Sequence, residues 1–220
     1  HEALQIAAGN GFMREFPYEQ ITRDSRILSI FEGTNEILRL YIALSGMKDV
    51  GSSLSELKSA VGDIFNNPIK GFGVLSSYAS KRLRETTGFG TDKIISKLHP
   101  KLKQCSEVYE KYAVELSKAS DALLRIHGKG IADQQYQLKR IGDITIDMFV
   151  GLCTLSRAEL LHRTDAKNGE QAVNICDVFT RQAKRRMAGN IRGLLKNDDK
   201  ERDALAGFVL ETGVYPWDVI

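Results

Sequence analysis

The stretch CSEVYEKYAVELSKASDALLRI, residues 105–126, carries the clearest helical signal in the chain. Its apolar positions Cys105, Val108, Tyr112, Leu116, Ala119, Leu123 and Ile126 advance by threes and fours, the period of a helix with one apolar face. Gly128 and Gly130 bracket its end. Downstream, Leu138, Ile141, Ile144, Met148, Leu152 and Leu155 form a second stripe of the same period. Ile175, Phe179, Ala183, Met187, Ile191 and Leu194 form a third, and a shorter helix carries Leu205, Phe208 and Val209. No segment alternates apolar and polar residues as a half-buried strand does. Long helices joined by short links, each with one apolar face, predict an all-α fold: an up-and-down helical bundle over residues 101–213.

Upstream the pattern is more broken. A short helical run is expected to stop at Gly9-Asn10-Gly11, where glycine tolerates positive φ. A new helix starts near Pro17, with Glu19 complementing its dipole, and carries Ile21, Ile27, Leu28 and Phe31. Glu32-Gly33-Thr34 breaks it, and Thr34 is an N-cap for a further helix from Asn35 to Leu44, on which Ile37, Leu40, Tyr41 and Leu44 recur at helical spacing. Gly- and Ser-rich residues from 46, then Asn66-Asn67-Pro68, read as a connector with at most one helical turn. This divides the chain into residues 1–48, a connector at 49–70 and a helical extension at 71–220. Within the extension, Phe72, Leu75, Ala79 and Leu83 share one face, with Lys70, Lys81 and Arg84 largely opposite. That pattern predicts an amphipathic helix over 71–87, which either packs on the bundle or lies on anionic lipid. Because His1-Glu2-Ala3-Leu4-Gln5-Ile6 already reads as mid-helix, without initiator Met or capping residue, the sequence is expected to be a fragment.

Composition narrows the function classes. Of 220 residues, 42% are hydrophobic and 27% charged, with 4 Pro against 19 Gly, which excludes a predominantly disordered chain. A net charge of +3 is too balanced to point to nucleic acid. The acid-free run from Val178 to Asn197 holds Arg181, Lys184, Arg185, Arg186, Arg192 and Lys196. It reads first as a solvated helix face, with lipid or protein contact as the alternative; no aromatic interleaving favours nucleic acid. The longest uncharged stretch, Ala3 to Met13, is far short of the ~20 apolar residues of a bilayer span. Cys105, Cys153 and Cys176 are odd in number and lack ligand spacing, so all three are expected to be buried thiols in a reducing compartment. His99, His127 and His162 are scattered, and no metal site is expected.

Function has to come from a site rather than from periodicity. The run Gln5-Ile6-Ala7-Ala8-Gly9-Asn10-Gly11-Phe12, then Tyr18-Glu19, Arg23-Asp24-Ser25-Arg26-Ile27, and Ile30-Phe31-Glu32-Gly33-Thr34-Asn35-Glu36-Ile37-Leu38-Arg39 closely resembles the C-terminal helical region of acyl-CoA dehydrogenases. Asn67-Pro68, His99-Pro100, Lys129-Gly130-Ile131 and Leu155-Ser156-Arg157-Ala158 resemble the carboxy-terminal extension of the very-long-chain branch. The resemblance implies FAD-dependent oxidation of an acyl-CoA to the trans-2-enoyl-CoA, with Glu32 as the base that removes the α proton. A carboxylate among Ile30, Phe31 and Gly33 would lose hydration, and desolvation favours the protonated form. By the same resemblance Phe31 and Gly33 meet substrate, Thr34 and Glu36 contact the flavin, and Gln5 and Gly9 reach FAD bound to a partner subunit. That implies a homo-oligomer, with a dimer as the expected form, and electron-transfer flavoprotein as electron acceptor. Two departures stand out: Ala7-Ala8, where many members carry glycine at the second position, and Phe31, where many carry tyrosine. The resemblance also implies peripheral membrane contact through the extension, and a cytoplasmic or membrane-surface location in a bacterium or a mitochondrial one in a eukaryote. The rival expectation is a non-catalytic module, a helical bundle that docks on a protein or a membrane.

Overall fold

The computed structural model describes residues 1–62, 98–165 and 167–213, and among them there is no strand. The fold is all-α. In chain order run α1 (Glu2–Ile6), α2 (Gly9–Phe12), α3 (Tyr18–Arg26), α4 (Asn35–Gly62), α5 (Pro100–His127), α6 (Gln135–Thr164), α7 (Gly169–Leu195) and α8 (Asp199–Thr212). Short 3₁₀ turns lie at Ile27–Ser29 and Gly128–Asp133. The amphipathic helix expected over 71–87 lies outside the described residues.

Local chemistry accounts for the ends of the long helices. His99 caps α5: its Nδ1 accepts from the Lys101 N–H at 3.3 Å, and Pro100 sits in the first turn, where a missing N–H costs nothing. Gly128, at φ 54°, ends the same helix in a conformation that an L side chain rarely adopts.

The core is built on α6, which packs against α4, α5 and α7. Helices α5 and α7 run parallel, with α6 antiparallel to both. Along the α5–α7 seam, the Tyr109 and Thr180 hydroxyls are 2.9 Å apart, and one helical turn on the Tyr112 hydroxyl donates to the Lys184 carbonyl at 3.3 Å. Leu102, Ile144 and Met187 are wholly buried in this cluster, each contributing about 1.5–3 kcal/mol of apolar burial. A second cluster joins Ala43 and Met47 of α4 to Leu123, Ile131, Leu138 and Ile141. Arg186 grips the nearly buried Asp147 of α6 through both Nε and a terminal nitrogen at 2.6–3.0 Å. Arg140 holds Asp199 with two bonds of 2.6 Å, tying α8 to α6.

Several expectations need correcting. The break after α1 falls at Ala7-Ala8, with Ala8 at φ 50°, and Gly9–Phe12 is itself a helical turn. The chain doubles back there: a Cβ on buried Gly11 would stand 2.2 Å from the Leu4 carbonyl oxygen. Helix α4 does not end at Leu44 but continues to Gly62, through the first part of the stretch expected to be a connector. Ser and Gly weaken a helix interior by no more than about 1 kcal/mol each, and no proline interrupts 35–62. The buried ladder of α7 is Val173, Cys176, Thr180, Ala183 and Met187, while Ile175 is 65% exposed. Leu205, Phe208 and Val209 of α8 and Ile126 of α5 are likewise exposed. Cys153 is exposed, and only Cys105 and Cys176 are buried. Within the basic run, Arg181 pairs with Asp177 and Arg186 with Asp147, which removes two cations from any free face.

Two expected outcomes follow from this packing. Gly189 lies inside α7 with nothing within 4 Å of where a Cβ would be. Gly189→Ala should therefore raise stability by about 0.5–1 kcal/mol in chemical denaturation, the propensity gain alone; a loss would reveal a contact the geometry does not contain. Glu159 has a mostly buried side chain that accepts from the His99 N–H at 2.9 Å and pairs with Arg163. Burial pushes its carboxyl up, but these two partners outweigh burial and hold it below the ordinary glutamate value. Its stabilisation is present above the unfolded value of about 4.3 and is lost as pH falls through the lower folded value. Wild type should melt above Glu159→Gln at neutral pH, and the gap should close in acid. A gap that persists undiminished in acid would contradict the assignment.

Candidate active site

Chain geometry concentrates the candidate residues in one turn. After the 3₁₀ turn at Ile27–Ser29, the Ile30 and Phe31 N–H groups both donate to the Ile27 carbonyl, at 2.9 and 3.0 Å. Glu32 then adopts φ 55° and Gly33 φ 101°. A non-glycine residue at positive φ is uncommon and costs about 1–3 kcal/mol, so the turn holds Glu32 against local preference. Gly33 closes against Leu38, whose Cδ2 would stand 3.4 Å from an added Cβ. Helix α4 starts immediately afterwards: the Thr34 hydroxyl accepts from the Ile37 N–H at 3.4 Å and its carbonyl from the Leu38 N–H at 2.9 Å. Thr34 is thus the N-cap anticipated from the sequence.

Phe31, Glu32, Gly33, Thr34 and Glu36 therefore share a single turn and the first residues of α4. Gln5 lies on α1 and Gly9 at the start of α2, both exposed, on helices that each contact α3. Arg23 and Arg26 of α3 are held locally, by Glu19 and by the Ser29 hydroxyl. A groove of about 630 Å³ opens among Leu4, Phe12, Thr22, Arg23, Arg26 and Ser29.

The environment of Glu32 differs from expectation. Glu32 is exposed, and its neighbours Ile30 and Phe31 are 47% and 46% exposed. Desolvation of the carboxylate is not supplied by these flanking residues. Ile27, Leu28, Ile37 and Tyr41 are also exposed, so this segment presents an apolar wall that the other described residues leave largely open.

Sequence reasoning missed how this wall is anchored. Arg39, on α4 after the turn, donates from Nε to Asp143 Oδ1 of α6 at 2.6 Å, and Lys139 bonds the other carboxylate oxygen at 2.7 Å. Beside it, Gly142 lets α4 approach so closely that a Cβ there would lie 2.5 Å from the Arg39 carbonyl oxygen. The available signal was a glycine inside the strongly periodic second stripe.

The residues present suit a polar, anionic dinucleotide. The Gln5 amide, the Thr34 hydroxyl and the first backbone N–H groups of α4 supply hydrogen-bonding groups, and Gly9 is exposed, with open space where a Cβ would be. Glu36, when ionised, offers only acceptors.

Residues 100–209 match the family described as "ACAD9/ACADV, C-terminal domain", and residues 1–47 match "Acyl-CoA dehydrogenase, C-terminal domain". The very long-chain specific acyl-CoA dehydrogenase of Rattus norvegicus, a mitochondrial protein, is 35% identical over 201 residues, covering 91% of this chain and 30% of that protein. The Homo sapiens counterpart is 36% identical over 194 residues, covering 88% and 29%. The probable acyl-CoA dehydrogenase FadE10 of Mycobacterium tuberculosis is 28% identical over 226 residues, covering 98% and 35%. Among solved structures, a Bacillus anthracis acyl-CoA dehydrogenase complexed with FAD shares the fold at a TM-score of 0.63 and 24% identity, covering 99% of this chain and 34% of that one. The chain thus spans about a third of the length of the curated relatives it matches.

Proposed function

Because this chain belongs to the acyl-CoA dehydrogenase family, we propose that it is the C-terminal part of an enzyme that oxidises long-chain acyl-CoA to trans-2-enoyl-CoA in fatty-acid β-oxidation. The observation that carries this reading is the Phe31–Thr34 turn, in which a carboxylate, a side-chain-free residue and a helix N-cap are presented together at an exposed apolar wall. FAD, when bound, supplies the two-electron acceptor for the hydride leaving the β carbon. Glu32 takes the α proton onto its carboxylate, and its own backbone N–H donates to the thioester oxygen, stabilising the charge that develops there. Gly33 lets the backbone come close to the thioester, and Phe31 lines the acyl side. Thr34 and Glu36 lie against the flavin, while Gln5 and Gly9 reach the FAD of the partner subunit in a homodimer.

In this reading residues 1–48 complete the catalytic helical domain, 49–70 connect it, and 71–220 form the extension. The parts of the protein beyond these residues cover the exposed wall and exclude water from Glu32. Electrons pass on to electron-transfer flavoprotein, and the extension makes peripheral membrane contact. The setting is mitochondrial in a eukaryotic host, and cytoplasmic or at the membrane surface in a bacterial one.

The test is the visible spectrum of the purified full-length protein before and after anaerobic addition of a long-chain acyl-CoA. The expected result is a flavin band that bleaches on addition. A flavin-loaded protein whose band is unchanged by any acyl-CoA would overturn the reading.

A further inference from the structure

Two thiols meet inside the bundle. Cys105 of α5 and Cys176 of α7 are 2% and 0% exposed and share one buried cluster with Tyr109, Ile144 and Met187. One turn further along both helices the Tyr109 and Thr180 hydroxyls are 2.9 Å apart, which sets Cys105 and Cys176 opposite each other across the seam. The Cys105 sulfur lies 3.8 Å from the Lys101 carbonyl oxygen, one turn back on its own helix. Helices α5 and α7 run parallel here, so the two side chains stand at one level of the same seam. A disulfide needs Cβ atoms about 3.5–4.5 Å apart, a separation within reach of two short side chains buried in one cluster at one level of a helix seam.

We propose that Cys105 and Cys176 form a dithiol that oxidises reversibly to a disulfide and pins α5 to α7. The acidities of the pair favour Cys105 as the attacking thiol, although the link formed is the same whichever sulfur attacks first. The neighbouring Cys176 thiol holds Cys105 below the ordinary thiol range, although burial opposes it. The same contact, together with burial, holds Cys176 above that range. With a hydroperoxide as oxidant, the Cys105 thiolate attacks a peroxide oxygen. The O–O bond breaks, leaving a sulfenic acid on Cys105 and releasing the alcohol, or water from hydrogen peroxide. The Cys176 sulfur then attacks the sulfenic sulfur: the S–S bond forms, the S–O bond breaks, and the departing hydroxide takes the Cys176 proton to leave as water. In sum, two thiols are oxidised and one hydroperoxide is reduced. If the pair served packing alone, as two small apolar side chains, both sulfurs would stay reduced.

The experiment treats the reduced full chain, carrying Cys153→Ser to remove the exposed thiol, with hydrogen peroxide under native conditions. The protein is then unfolded in an alkylating agent and analysed by intact mass and peptide mapping. The expected result is a loss of two hydrogen masses, a linked peptide pair containing Cys105 and Cys176, and protection of both from alkylation, all reversed by dithiothreitol. Full alkylation of both cysteines would overturn the proposal, and so would oxygen adducts without a link. A link that forms only in urea would overturn it too, because the pairing would then belong to the unfolded chain.

Discussion

Glu32→Gln in the full-length protein is expected to lower the rate of acyl-CoA-dependent flavin reduction by roughly 10²–10⁴-fold, the contribution of a positioned general base. FAD content and melting temperature should match wild type. The substitution suits the site because the amide keeps the size and exposure of the carboxylate, and the chain already turns at φ 55° at this residue. It also leaves the backbone N–H in place, so thioester polarisation survives while proton removal does not. Binding and chemistry therefore separate: the acyl-CoA should still perturb the flavin spectrum of the variant without bleaching it. Bleaching at the wild-type rate would remove Glu32 as the base.

Gly142→Ala is expected to destabilise the protein by about 1–3 kcal/mol, the usual cost of overpacking. It does so against a helix-propensity gain of up to about 1 kcal/mol, so the steric cost has to exceed what the same change returns at Gly189. The obstruction is backbone: the new methyl would lie 2.5 Å from the Arg39 carbonyl oxygen and 3.1 Å from its carbon. A flexible side chain could swing away; a peptide group inside α4 moves only with the helix. The result should be a separation of α4 from α6, loss of the Arg39–Asp143 bond, and displacement of the turn seven residues before Arg39 that holds Glu32. Denaturant midpoints of Gly142→Ala and Gly189→Ala should accordingly move in opposite directions. In the full-length protein the first variant should also lose acyl-CoA-dependent bleaching. Parallel stabilisation of both variants would show that α4 and α6 do not meet as closely as described.

Much of this molecule is local in origin. The helical period around Cys105, the Thr34 cap and the Gly128 stop are decided by residues within a turn or two of each other, and each appears where the sequence places it. The stretch from Gln5 to Arg39 likewise carries its family likeness, and with it Glu32, in residue identity and spacing. Periodicity was less reliable about which face is buried. On α7 a stripe through Ile175 and a ladder through Val173, Cys176 and Thr180 both satisfy the helical period, and only the presence of α5 and α6 selects the second.

Short-range chemistry makes the chain helical, sets roughly where most helices start and stop, and carries the family likeness, because hydrogen bonding, capping and φ preference act over a few residues. The rest comes from packing between distant segments. Helix α4 runs on to Gly62, Gly142 receives the Arg39 peptide, Asp147 finds Arg186, and Cys105 meets Cys176. That packing also leaves Glu32 on an open apolar wall. Each of these depends on which distant surfaces of the chain meet and which are left open. Close packing and desolvation are properties of such meetings and have no signature in any one segment.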